Sequence, residues 1–182
     1  MLDPSSRAAQ ALTRITLGTR ESGIEFIEVP IGVDPRASAE KLDAGGWLRI
    51  GDRALIETLE ARSPLAFNPS AAWAADTGLP FVFAVWIVRP GLELDAEGIA
   101  VFTEARARGA ASIEAFAREA AETWGLPLEP CRKYLMEECL YDAGALVEPA
   151  LLAFRDRAAA LGLCRADLAP RAIRPPGAPC PA

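Results

Sequence analysis

Phe81-Val82-Phe83-Ala84-Val85-Trp86-Ile87-Val88 is the most apolar run in the chain, and it follows Thr77-Gly78-Leu79-Pro80, a turn that no helix continues through. β-Branched and aromatic residues fill the run without polar alternation, the pattern of a strand buried on both faces. Such a strand needs sheet neighbours, and the residues ahead of it carry α/β punctuation. Residues 24–29 and 47–50 read as extended, 36–44 and 52–61 as helical. Ser5 and Ser6 are good caps for a helix whose apolar positions are Ala8, Ala9, Leu12 and Ile15. Residues 64–68 read as a short extended piece, and Ser70 begins a helical turn that runs to Trp73.

Behind Pro90 the pattern becomes helical only. The clearest helix is 112–124, with Ile113, Phe116, Ala117, Ala120, Ala121 and Trp124 on one face. Further helices are expected over 96–108, 129–141 and 148–161, the last stopped by Gly162. From Arg165 onward, Pro170, Pro175, Pro176, Pro179 and Pro181 make a tail that is expected to stay mobile. The organisation read from the chain is therefore an α/β lobe over 1–80, a crossing strand with a helical remainder over 81–164, and a proline-rich tail over 165–182.

With 51% hydrophobic and 24% charged residues, the chain has the composition of a soluble globular protein. A net charge of −6, with arginines scattered among carboxylates, argues against a nucleic-acid partner. Met1 to Arg7 is neither a basic n-region nor an apolar h-region, and no apolar stretch is long enough to span a bilayer. A cytoplasmic protein with no membrane partner is expected. Cys131, Cys139, Cys164 and Cys180 lack C-x-x-C spacing and read as reduced thiols, so neither a metal nor another cofactor is expected. The chain has no histidine, which removes the Ser-His-Asp and Cys-His schemes. Chemistry has to come from carboxylates, hydroxyls, backbone dipoles or the substrate's own groups.

Three strings then carry a resemblance. Trp73-Ala74-Ala75-Asp76-Thr77-Gly78-Leu79-Pro80-Phe81-Val82-Phe83-Ala84-Val85-Trp86 is similar to the W-x-x-x-T-G-L-P-F-V-F-A-x-W stretch of chorismate dehydratases, the first enzymes of the futalosine route to menaquinone. Trp47-Leu48-Arg49-Ile50-Gly51-Asp52-Arg53-Ala54-Leu55 resembles that family's L-x-I-G-D-x-A-L segment, and Leu2-Asp3-Pro4-Ser5-Ser6-Arg7 its L-D-x-S-S-R-T-S hinge. The resemblance implies one lobe of a fold like that of type II periplasmic binding proteins, followed by an incomplete second lobe. It also implies a preceding segment of the other lobe, without which the chain is expected to be inactive alone and to associate with itself or with that segment.

Two departures stand out. Ala8-Ala9 replace the family's Thr-Ser, removing two hydroxyl donors, and Asn68-Pro69-Ser70 stand where the family has Asp-Leu-Gly. A charged hydrogen bond is worth about 1.5–3 kcal/mol, so the first change bears directly on carboxylate affinity.

The implied reaction is a lyase step, the dehydration of chorismate to 3-[(1-carboxyvinyl)oxy]benzoate, driven by aromatisation. Chorismate is a dicarboxylate, and a helix start with free amides suits a carboxylate. The candidate site is Ser5, Ser6 and Arg7 on a substrate carboxylate, with Gly51, Asp52, Thr77 and Gly78 lining the cleft. Gly51 admits a close backbone approach, and Asp52 can cap the helix after it. Arg7 reads equally as a solvated helix charge. No residue is marked as the proton acceptor, and a substrate carboxylate can fill that role. Two other classes stay open: a binding module for a small carboxylate, and a non-catalytic protein completed by a partner.

Overall fold

Ser6 holds extended backbone (φ −140°, ψ 108°) while its hydroxyl accepts from the amide of Ala9, so the chain turns helical directly after it. In the computed structural model, which describes residues 1–60, 67–168 and 170–171, this starts α1, Arg7–Gly18. Asp34 caps α2, Pro35–Lys41, by accepting from Ala37 at 3.0 Å, with Pro35 in the first turn where no amide is needed. The third helix, α3, is Gly51–Glu60. Asn68 caps α4, Pro69–Thr77, through the amides of Ser70 and Ala71. Gly78 ends α4 in the left-handed conformation (φ 69°, ψ 8°), which a side chain would strain.

By their contacts the described residues form two compact units. One contains Met1–Ala84 and Leu146–Arg171, the other Val85–Ala145. In the first, α1 packs on α4 and on α8, Val147–Ala160. Leu12, Ile15, Trp73 and Ala158 make the buried cluster, with Phe81, Ala153, Phe154 and Cys164 packed against it. Trp73 meets Phe81 and Phe154 edge-on, at 6.1 and 6.0 Å, and Arg157 lies over its ring at 4.8 Å. Gly162 (φ 70°) follows the end of α8, as expected from the sequence.

The second unit holds α5, Ala96–Ala111, α6, Ile113–Trp124, and α7, Leu128–Lys133. Arg132 of α7 reaches Glu114 of α6 with two bonds, at 2.7 and 2.8 Å, and this guanidinium holds the Glu114 carboxyl down to about 2. Beyond Lys133 a π-helical turn, Tyr134–Glu138, ends the helix at Cys139, earlier than the expected 141. Only Ala117 and Cys131 are fully buried among the hydrophobic residues of this unit.

Two expectations need correction. The molecule is mixed in class but dominated by helix: among the described residues the β-pairing assigned is a single parallel bridge, Leu2 to Glu28. The expected α/β lobe of periplasmic-binding-protein type is thus not displayed as a sheet. Residues 81–88 are non-helical, yet they are not a strand buried on both faces, because Phe83, Trp86 and Ile87 are 66%, 83% and 86% exposed. No described strand lies beside the run to accept its backbone bonds, and apolar composition cannot bury a segment that has nothing to pair with. On the apolar face of α6, Phe116 and Trp124 are exposed and Ala117 alone is buried. Residues 64–66, and the tail beyond Arg171, lie outside the described residues.

Trp73→Ala should cost about 3–5 kcal/mol in denaturant unfolding, since it empties the junction of α1, α4 and α8. A loss under about 1 kcal/mol would show that Trp73 does not hold these helices together.

Candidate functional site

Consecutive residues of an extended chain turn their backbone groups to opposite sides, and Met1 and Leu2 do so here. Leu2 donates to Ile27 O at 2.8 Å and accepts from Val29 N at 3.3 Å. Met1 donates from its terminal amine to Gly46 O and accepts from Leu48 N, both at 2.8 Å. Both patterns are those of parallel neighbours. The start of the chain thus lies between residues 27–29 and 46–48, in the order second, first, third. Each segment runs into a helix: Met1–Leu2 into α1, 27–29 into α2, 46–48 into α3. All three helix starts therefore lie at one edge, the carboxyl end of the pairings. In parallel α/β arrangements of this order, the crevice between the first and third segments is the ligand position.

Ser5, Ser6 and Arg7 lie on one side of that crevice, and Gly51 and Asp52 on the other. Ser5 is already engaged, since its amide donates to the Asp3 carboxylate at 2.9 Å and its hydroxyl bonds the same oxygen. Ser6 is the helix cap. The amides of Arg7 and Ala8, which follow it, donate to nothing among the described residues and are the free donors of the α1 start. Gly51 opens α3 with φ 64°, a conformation suited to glycine. Asp52 does not cap α3, because it lies one position inside the first turn, where its charge complements the helix dipole.

Arg7 is exposed and lines a shallow cavity of about 110 Å³ with Gln10, Ala11, Arg14, Glu28 and Leu163. Its neighbours there are on the flank of α1, where Arg14 pairs with Glu28 at 3.2 Å. Thr77 and Gly78 are elsewhere. Arg20, just past the end of α1, pairs with Asp76 at 3.0 Å and so ties the end of α4 to the far end of α1. At 1.5 Å per residue that is roughly 18 Å from Ser6. Both residues are accounted for locally: Thr77 Oγ1 donates to Trp73 O at 2.7 Å and accepts from Leu79 N at 3.1 Å. The structure brings Ser5, Ser6 and Arg7 to one edge with Gly51 and Asp52, and leaves Thr77 and Gly78 apart from them.

Arg49 is the residue at this edge that sequence reasoning passed over. Its side chain is 9% exposed, and its Nη2 donates to both oxygens of Asp34 at 2.8 Å while Nε donates to Glu57 at 2.7 Å. Trp47 Nε1 adds a bond to the second Glu57 oxygen at 3.1 Å. One guanidinium thus fastens the cap of α2 to the body of α3. Its proximity holds the Asp34 carboxyl down to about 2, with the Ala37 amide adding to the effect. The sequence marks a helix over 36–44 without its cap, Asp34, and nothing in it points to Arg49 as the partner of that cap.

A protein-family model described as menaquinone biosynthesis matches residues 1–160. No curated protein matches the chain.

Asp34 generates a pH prediction. A carboxyl depressed on folding stabilises the fold above its unfolded pKa of about 4, and that stability is lost as pH falls towards about 2. Asp34→Asn keeps a capping side chain and removes the charge. The variant should be less stable than the parent at pH 7, and the difference should shrink between about pH 4 and 2. Equal stability at both pH values, measured by urea unfolding, would mean that the Arg49 clip contributes nothing.

Proposed function

The chain belongs to the menaquinone-biosynthesis family, and from that membership we propose that it takes part in the dehydration of chorismate to 3-[(1-carboxyvinyl)oxy]benzoate. The resemblance of the Trp73–Trp86, Trp47–Leu55 and Leu2–Arg7 strings to chorismate dehydratases supports this reaction within the family. The observation that carries the geometry is the α1 start: the amides of Arg7 and Ala8, unpaired among the described residues, face a shared edge with Gly51, and no acidic residue occupies the first turn.

In this reading one substrate carboxylate lies on the Arg7 and Ala8 amides, held by the backbone donors and the helix dipole. The ring then extends towards Gly51, where the lack of a side chain admits it. One ring hydrogen and the neighbouring hydroxyl leave as water, and the ring becomes aromatic. Because aromatisation drives the elimination, the protein's work is to hold a reactive conformer and restrict water. With no histidine in the chain, the second substrate carboxylate is the proposed proton acceptor. Ala8-Ala9 supply no hydroxyl donors, so affinity rests on the backbone.

Two measurements separate the parts of this reading. Chorismate loss and formation of the aromatic product, followed by chromatography, test the reaction: absence of product from the folded chain, both alone and with the preceding segment of the resembled family supplied in trans, would end the dehydratase reading. Ser6→Asp tests the site. Aspartate caps a helix as well as serine does, so folding should be kept, while its charge repels a carboxylate at the neighbouring amides. The Michaelis constant should rise about tenfold or more, the loss of one charged hydrogen bond, with the melting temperature unchanged. An unchanged Michaelis constant would remove the carboxylate from the α1 start.

A further inference from the structure

Arg7, Gln10, Ala11 and Arg14 share one face of α1, because residues three, four and seven apart return to the same side of a helix. Leu12 and Ile15 turn to the core instead. With Glu28 and Leu163, the four residues line the cavity of about 110 Å³ on the flank of the helix. A water takes roughly 30 Å³ in the liquid, so this space suits a group the size of one small ion. Two of the lining side chains are cations and only one is an anion, and they belong to a chain whose net charge is −6.

The donors in this cavity are incompletely used. Arg14 gives Glu28 a single bond, from Nη2 at 3.2 Å, where a charged pair is usually about 2.7–2.9 Å long. Its Nη1 and Nε bond nothing among the described residues. The Arg14 guanidinium also lies over the Phe26 ring, 5.3 Å from the centroid, so less freedom is lost when it meets a ligand. Arg7 is exposed, and its side chain has no ion pair or hydrogen bond among the described residues. Gln10 is buried and donates from Nε2 to Asp3 O at 2.9 Å, which leaves its second amide hydrogen without an acceptor there.

We propose that this cavity binds a phosphate group between the guanidiniums of Arg7 and Arg14, with the Gln10 amide as a neutral third donor. Arg7 and Arg14 are two turns apart, roughly 10 Å along the axis, so they reach a common ligand from different directions. A planar carboxylate is satisfied by one guanidinium fork, whereas a tetrahedral oxyanion has oxygens for both forks and for Gln10 between them. Its second negative charge answers the second arginine. Glu28 competes for Arg14 and sets an upper limit on affinity. The site is separate from the amides at the α1 start, since it uses the Arg7 side chain and not its backbone.

Calorimetric titration of the chain with inorganic phosphate tests this, with ionic strength held constant by chloride. Binding should be saturable, with a dissociation constant of about 1 mM or below. Arg7→Gln removes an exposed side chain, so folding should be kept, and should weaken binding about tenfold or more, the loss of one charged hydrogen bond. Arg14→Lys keeps the charge without the fork and should also weaken it. Glu28→Gln removes the competing carboxylate and should tighten binding about threefold, while Glu25→Gln, at an exposed position outside the cavity, should leave it unchanged. Glycerol phosphate distinguishes the source of the group: tighter binding than inorganic phosphate assigns the cavity to a phosphate ester, weaker binding to the free ion, and either supports a phosphate site. Lack of saturable binding of both would overturn the proposal, as would binding that Arg7→Gln and Arg14→Lys leave intact. Acetate bound as tightly as phosphate would also overturn it, by assigning the cavity to a carboxylate.

Discussion

Four backbone hydrogen bonds around Met1 and Leu2 organise the site. One residue spends its donor and acceptor on residues 46–48, the other on residues 27–29, so two consecutive residues hold both neighbours. Leu2 is 2% exposed, and its burial adds about 1.5–3 kcal/mol to a pairing too short to persist by hydrogen bonds alone. Everything at the edge follows from this. The starts of α1, α2 and α3 converge because each helix begins within a few residues of a paired segment, and the parallel sense of the pairing sends all three chains out on the same side.

Much of this was legible, and the reason is local. Ser6, Gly78 and Gly162 mark helix ends through interactions that span four residues or fewer, which a linear sequence displays. The extended segments 24–29 and 47–50 were readable for the same reason, and their pairing with the first residues puts Ser5, Ser6 and Arg7 at one edge with Gly51 and Asp52. Residues 81–88 were misread because burial is not a local property. Their composition suits a two-sided strand, but a strand is buried by its neighbours, and while Phe81 packs on Trp73 and Phe154, Phe83, Trp86 and Ile87 stay largely exposed. Thr77 and Gly78 were misplaced in kind rather than in structure: a turn that stops a helix and a turn that lines a cleft use the same residues.

Arg49 shows what local reading cannot supply. Its partners stand fifteen residues before it and eight after, with separate helices carrying them. A buried arginine left with one partner missing would be costly, so the two carboxylates and the guanidinium form a unit. That unit sets the spacing of α2 and α3, and through α3 the position of Gly51 at the crevice. The chain therefore fixes one wall of the site by charge and the other by backbone pairing.

The charges at this edge also decide which helix start can accept an anion. An acidic chain would seem poorly made for a dicarboxylate, but most of the carboxylates near the crevice are engaged. Asp3 takes the amide and hydroxyl of Ser5, and both Asp34 and Glu57 are bound to Arg49. Asp52 occupies the first turn of α3 and answers that helix dipole from within the chain. The first turn of α1 has no acidic residue and carries Arg7 instead. Of the two helix starts that flank the crevice, α1 retains positive potential and α3 does not. Under the proposed reading this asymmetry orients the substrate: its carboxylate lies towards Arg7 and Ala8, while the side of the ring facing α3 meets an acceptor, Asp52, better matched to a hydroxyl than to a second anion.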